Sequence, residues 1–331
     1  MRLKLFNLWV GLVIALSALM MASGCQSMEE PAEEESTEKE LLEKEADSST
    51  EEVFSPAITV PDSSTSPGEH VMLEITSFPY RPFEIAWKDD EAEGEVSRHW
   101  WDGETIYLLA GISYYHEPGE YPISLKVKYF DEDENIDEVE LSTYVELSER
   151  EYPEQRFHVP EQRTEGWTQE KLEEQRAMMG EARQNSYSLP LGEGSFKHPV
   201  EEGNITSEYG AVRIINDNPP RRHAGLDLGG LPEGTPVKAT QAGVVRLADS
   251  LLAPGKTVIL DHGMGLNSSY LHLHEIKVDP GDMVEKGEVI GTLGQTGYAT
   301  GPHLHWEIRL WELPLCPEQF LEAPPTWGRG S

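Results

Sequence analysis

One stretch constrains this chain more than any other: Gly301-Pro302-His303-Leu304-His305-Trp306-Glu307-Ile308-Arg309-Leu310. Leu304, Trp306, Ile308 and Leu310 fill its even positions, and His, His, Glu and Arg fill the odd ones. Alternation of period two predicts a β-strand with one face in a core and the other polar. His303 and His305 then project from the same face, roughly 6–7 Å apart along the strand. Two imidazoles side by side suit a metal site, where one is a ligand and the other stands beside the water there. The rest of the chain has to supply the missing ligands.

The 331 residues are enough for two domains plus tails. A net charge of −34 argues against nucleic acid as a partner and against electrostatic docking on anionic lipid. Of the two cysteines, Cys25 and Cys316, neither has a partner for a disulfide framework or a thiolate zinc site.

The N-terminus reads as an export signal: Arg2 and Lys4, then an apolar run from Leu8 to Ala22, then Ala22-Ser23-Gly24-Cys25. The run is shorter than the roughly 20 residues a spanning helix needs. It resembles a bacterial lipoprotein signal, with Ala22 where that signal usually has Leu, and the resemblance implies cleavage of residues 1–24 and acylation of Cys25. Glu29 to Glu52 holds twelve acids against two lysines, so residues 25–55 are expected to form a disordered, self-repelling tether.

Residues 56–162 carry short apolar or alternating runs between turn signals such as Pro67-Gly68 and Pro118-Gly119. The runs are 57–60, 71–75, 83–87, 105–110, 121–129 and 139–147, which predicts an antiparallel β-sandwich. His70, His99, His116 and His158 lack metal spacing and are read as surface residues, and Trp100-Trp101 as core or domain-contact packing. Thr168 to Arg183 is rich in helix formers, with Thr168 and Glu170 as a plausible start, so residues 163–188 are read as a helical linker.

From Leu189 the composition changes to Gly-rich turns between Val/Ile/Leu runs, and six of the eleven histidines fall between His223 and His305. His223 and Asp227 would be about 13 Å apart on an extended strand, too far for one ion. The chain must therefore bend near Ala224-Gly225, leaving His223 on the turn and Asp227 in the strand beyond. In Tyr270-Leu271-His272-Leu273-His274, alternation puts Leu271 and Leu273 in the core and Tyr270, His272 and His274 toward a groove. His262, in Asp261-His262-Gly263, is read as a structural residue at a turn.

Phe196 to Leu310 resembles the lysostaphin-type (LytM-like) zinc metallopeptidases of the cell wall. The resemblance rests on His223-x-x-x-Asp227, Tyr270-x-His272-Leu273 and Gly301-Pro302-His303-Leu304-His305, in that order. The segments 233–239, 281–291 and 296–301 also fit. The β-rich first region, followed by residues 154–160, resembles the immunoglobulin-like domain that precedes some members. Together these imply an all-β chain: an antiparallel immunoglobulin-like β-sandwich, the helical linker, a peptidase domain at 189–320 and a tail at 321–331. The resemblance implies one zinc per chain held by His223, Asp227 and His305, with His272 and His303 as unligated catalytic histidines. Two imidazoles and a carboxylate leave a fourth position open, as hydrolytic zinc sites require.

The expected function is zinc-dependent hydrolysis of the peptide cross-links of peptidoglycan, at either a D-amino-acid cross-link or a glycine bridge. One alternative is a non-catalytic envelope module that binds peptidoglycan or activates another wall hydrolase. Such a protein should miss at least one of the five positions, and none is missing here. A biotinyl or lipoyl carrier, whose small barrel 281–291 resembles, would display a lysine at a hairpin tip, and no Met-Lys-Met or Asp-Lys-Ala occurs here. Gln26 after the cysteine fits an outer-membrane lipoprotein facing the periplasm, a reading that rests on analogy. Asn204 is a candidate for a residue laid across the groove, in which case removing the first region would speed cleavage.

Overall fold

The computed structural model describes residues 55–87, 94–160, 164–192, 194–216 and 218–327. The export signal, Cys25 and the acidic run 29–52 lie outside the described residues. The described chain is all-β in class, with two helices, Gln169–Gln184 and Pro317–Glu322.

The first region is a two-sheet sandwich. One sheet orders Ala57–Thr59, His70–Thr76, Ile106–Ile112 and Gly94–Val96, with Trp100–Trp101 also on Ile106–Ile112. The other orders Ser64–Thr65, Ile136–Leu147, Gly119–Phe130 and Arg81–Trp87. Every pairing is antiparallel except Ser64–Thr65 with Ile136–Leu147. Alternate residues face inward, so Leu73, Ile75, Ile106 and Leu108 of one sheet meet Ile123, Leu125, Val127 and Leu141 of the other.

Strand Ile106–Ile112 is buried on both faces, and that is how the two regions join. Leu108 and Ala110 lie in the sandwich core, while Leu109 between them packs into the core of the second region. Gly111 lies there too: a Cβ on it would come within 2.8 Å of Leu313 Cδ2, so the leucine side chains pack directly on its backbone. Trp100 packs on the second core and Trp101 on the first, each a contact residue as the sequence suggested. His70 is not on the surface. It is buried at this junction, its backbone N–H and C=O bonded to the Gln319 amide and its ring 4.4 Å from that of Phe320. Alternation could not reveal this, because the element that covers His70 lies some 250 residues along the chain.

The second region is built on an antiparallel sheet ordered Asn204–Ser207, Leu226–Gly229, His303–Leu310, Leu266–Leu273, Lys256–Gly263, Gly243–Ser250 and Met283–Val284. Leu304, Trp306, Ile308 and Leu310 are all fully buried in one core with Leu228, Leu260 and Tyr270. The helix Gln169–Gln184 starts where the sequence suggested, with Thr168 Oγ1 accepting from Lys171 N–H at 3.3 Å. It packs Met179 and Ala182 on Leu247, Leu251 and Ile259. Before it, Glu154–Phe157 runs parallel to Val212–Ile215, which pairs in turn with Arg221–Arg222. Residues 54–331 together make one compact unit.

Candidate metal centre

Three neighbouring elements bring the donors together. Asp227 and His305 stand directly opposite each other on Leu226–Gly229 and His303–Leu310. His223 enters from the short connection between Arg221–Arg222 and Leu226–Gly229. Gly225 makes that connection possible, since a Cβ there would come within 2.4 Å of the Trp306 carbonyl oxygen. The bend expected near Ala224-Gly225 is therefore driven by close approach to the central strand as much as by backbone freedom.

The donor atoms converge. His223 Nε2 lies 2.9 Å from His305 Nδ1 and 3.1 Å from Asp227 Oδ1, and His305 Nδ1 lies 2.8 Å from Asp227 Oδ1. All three residues are buried, and they form a group able to hold a metal ion. Tetrahedral zinc ligands at about 2.0–2.1 Å from the ion lie about 3.3 Å from one another, so the set needs only slight expansion to fit one.

The outward-facing atoms are fixed as a metal site requires. His223 Nδ1 donates to the Glu208 carbonyl at 2.7 Å, which turns Nε2 inward. His305 Nε2 donates to Glu307 Oε1 at 3.0 Å, which turns Nδ1 inward. Arg213 pairs with Asp227 Oδ2 and leaves Oδ1 to the centre. Such partners set the tautomer and orientation of ligating histidines and carboxylates.

Burial and pairing set the charge state of each donor. Burial opposes charge on His305, yet hydrogen bonds to Asp227 and Glu307 outweigh it and raise its pKa to about 9. Burial likewise opposes charge on Asp227, but hydrogen bonds from His223 and His305 hold it well below the usual carboxylate range. Burial pushes His223 down to about 4. Asp227 is thus held ionised and His223 neutral, the states in which each can bind a metal.

His272 and His303 flank the group. Their rings are 4.8 Å apart, and His272 is 6.2 Å from the ring of His305. His272 Nδ1 donates to the Thr296 carbonyl at 2.8 Å and His303 Nδ1 to that of Gly301 at 2.9 Å, and His303 Nε2 lies 3.9 Å from Asp227 Oδ1. Burial and the neighbouring His303 push His272 down to about 3, so it stands neutral.

The path of His272 to the site differs from the alternation expected for 270–274. Tyr270 is paired with Trp306 and Leu271 with His305, so Tyr270 lies on the core face and not in the groove. Its hydroxyl is buried with Thr240 and Ser268. His272 would follow Tyr270 to that face, but its backbone adopts φ +63°, which breaks the alternation and brings the ring beside His303. His274 leaves the groove altogether and, exposed, pairs with Glu233 at 2.5 Å. His262 is indeed structural, its ring nitrogens bonded to the Ala242 carbonyl and Ser268 Oγ, though it lies within strand Lys256–Gly263. Asn204, exposed on strand Asn204–Ser207, packs its amide against Gly230.

Sequence reasoning missed Arg213, and it noted Glu307 only as part of a polar strand face. That face is buried: Glu307 is enclosed by Arg183 and Arg309. Glu307 was findable, since a carboxylate two residues from His305 on one strand shares its face. Arg213, in Val212-Arg213-Ile214-Ile215, carried no signal of its own.

Residues 221–317 match Peptidase family M23. The chain is 39% identical over 106 residues to peptidoglycan DD-endopeptidase ShyA of Vibrio cholerae, covering 29% of this chain and 24% of that protein. It is 40% identical over 105 residues to the DD-carboxypeptidase/endopeptidase Mpg of Neisseria meningitidis, covering 32% of this chain and 24% of that one. The chain thus spans about a quarter of the length of these curated relatives. A crystal structure from Pseudomonas aeruginosa assigned to peptidase M23 superposes with a TM-score of 0.57 at 27% identity, over 78% of this chain and 95% of that one.

Proposed function

We propose that this chain is a zinc-dependent endopeptidase that hydrolyses peptide cross-links of bacterial peptidoglycan, with one zinc held by His223, Asp227 and His305. The observation that carries this reading is the convergence of their three donor atoms within about 3 Å of one another, with His272 and His303 alongside. Zinc there would act as a Lewis acid toward the scissile carbonyl and lower the pKa of water from about 15.7 to about 7.

The chain's own residues do the rest. His272 and His303 stand at the edge of the donor group, each anchored through Nδ1 to a backbone carbonyl. One takes a proton from the attacking water; the other stabilises the tetrahedral oxyanion or protonates the leaving amine. Positioned proton transfer of this kind is worth about 10²–10⁴-fold in rate. The curated relatives named as DD-endopeptidases favour the D-amino-acid cross-link over the glycine bridge as the bond cut.

We further infer an exported lipoprotein anchored through Cys25, at the outer membrane and facing the periplasm. Among the described residues no helix is long and apolar enough to cross a membrane. We read residues 56–162 as an immunoglobulin-like region and 189–320 as the peptidase domain, a division supported by their separate apolar cores.

The decisive experiment incubates the mature chain with purified cross-linked muropeptides, with and without chelator. Cleavage that stops on chelation and returns with zinc is expected, along with close to one zinc per chain, falling sharply in His305→Ala. A zinc-loaded chain that leaves muropeptides intact overturns the enzymatic reading in favour of a non-catalytic envelope module.

A further inference from the structure

The stretch that matches the peptidase family begins at residue 221. Yet the surroundings of the donor group draw on residues far upstream of it, in a connector that runs from the last strand of the first region, Glu154–Phe157, through the helix Gln169–Gln184. Resting on the metal-site reading above, we propose that this connector is part of the metal centre: Gln155, Phe157 and Arg183 are positioning residues, one for each ligand.

Arg183 reaches His305. It sits at the end of helix Gln169–Gln184, is almost wholly buried, and donates to Glu307 Oε2 at 3.3 Å. Glu307 uses its other oxygen to hold His305 Nε2. A buried guanidinium is costly unless paired, and an apolar side chain would pack the helix as well. Arg183 also pairs with Glu312 at 3.1 Å, but Glu312 is exposed and Glu307 is the buried one of its two partners.

Phe157 reaches Asp227. The guanidinium of Arg213 lies over the Phe157 ring at 5.4 Å and pairs with Asp227 Oδ2. Strand Glu154–Phe157 lies beside Val212–Ile215 in register, Phe157 opposite Ile215 and Gln155 opposite Arg213. The aromatic face thus forms the floor that keeps Arg213 on the carboxylate.

Gln155 reaches His223. Its Oε1 accepts from Ser207 Oγ at 2.5 Å, and Ser207 Oγ is 3.5 Å from His223 Nδ1. The next residue, Glu208, carries the carbonyl that His223 Nδ1 donates to. Fixing Ser207 fixes that carbonyl.

Each ligand is therefore one residue removed from the connector. The arrangement makes the metal affinity of the peptidase domain depend on residues that a minimal fragment cut at the family boundary would lack.

The test uses the mature full-length chain with Arg183→Met, Arg183→Lys, Phe157→Leu and Gln155→Ala. Zinc affinity is read by competition with a chromophoric chelator, and ligand geometry by the visible absorption of the cobalt(II)-substituted protein. Arg183→Met should weaken zinc binding about ten- to hundredfold and shift the cobalt band, and Arg183→Lys should restore much of both. Phe157→Leu and Gln155→Ala, at half-buried positions, should each weaken zinc several-fold, and they carry the test if Arg183→Met does not fold. Unchanged zinc affinity and an unchanged cobalt band in the folded variants overturn the proposal. A wild-type chain that takes up no zinc overturns instead the metal reading beneath it.

Discussion

Glu307 Oε1 lies 3.0 Å from His305 Nε2, two residues along the same strand, and the same carboxylate is clasped by Arg309 at 2.7 Å and Arg183 at 3.3 Å. One buried acid thus ties a metal-ligand candidate to the strand that carries it and to the helix packed behind. Burial opposes its charge, but Arg309 and His305 hold its pKa well below the ordinary value.

Glu307→Gln should keep the shape and lose the charge. Arg309 would then face a neutral amide in a buried site and Arg183 would keep only Glu312, and unfolding free energy should fall by about 3–5 kcal/mol. Zinc affinity should fall roughly ten- to hundredfold with it. Denaturant unfolding and chelator competition measure the two effects. Wild-type stability in the variant would show that the arginines find other partners.

His272→Ala and His303→Ala should each retain zinc and lose about 10²–10⁴-fold in hydrolysis rate, since neither contributes a donor to the converging set. Metal content and muropeptide cleavage, measured on the same preparations, separate binding from chemistry. A variant near full activity removes that residue from the mechanism.

His70 predicts a pH dependence of stability. Burial lowers its pKa from 6.5 to about 3 in the folded chain, opposed by a hydrogen bond to Gln319. Between those values the unfolded chain binds the extra proton, so stability rises with pH. The contribution is fully present above about pH 6.5 and is lost progressively as pH falls toward 3. From pH 7 to pH 5 the wild type should lose about 2 kcal/mol more than His70→Gln. Equal losses in denaturant unfolding at the two pH values would show that His70 is not held neutral.

Cys25→Ser should release the protein into the soluble fraction or leave the signal uncut, because acylation requires the thiol. Fractionation and the mass of the mature N-terminus read the outcome. Unchanged membrane association with normal cleavage would argue for another anchor.

The period-two pattern of 303–310 was enough to place Leu304, Trp306, Ile308 and Leu310 in a core, because strand geometry sends alternate side chains to opposite faces. Turn signals between short apolar runs likewise marked the sandwich strands, and Thr168 marked the start of the helix. These are local rules, written in neighbouring residues.

What local rules could not reach was decided by register and long-range burial. Tyr270 lies in the core and His272 in the site because Tyr270 pairs with Trp306 and the left-handed backbone at His272 breaks the alternation. His70 is buried because Gln319 and Phe320 fold over it. Arg183, Arg213 and Glu307 became one support around the candidate metal ligands only when a helix and three strands met. Charged residues of that kind read as solvated in a sequence. Only the tertiary structure, by removing water from around them, makes their pairing strong enough to hold the site.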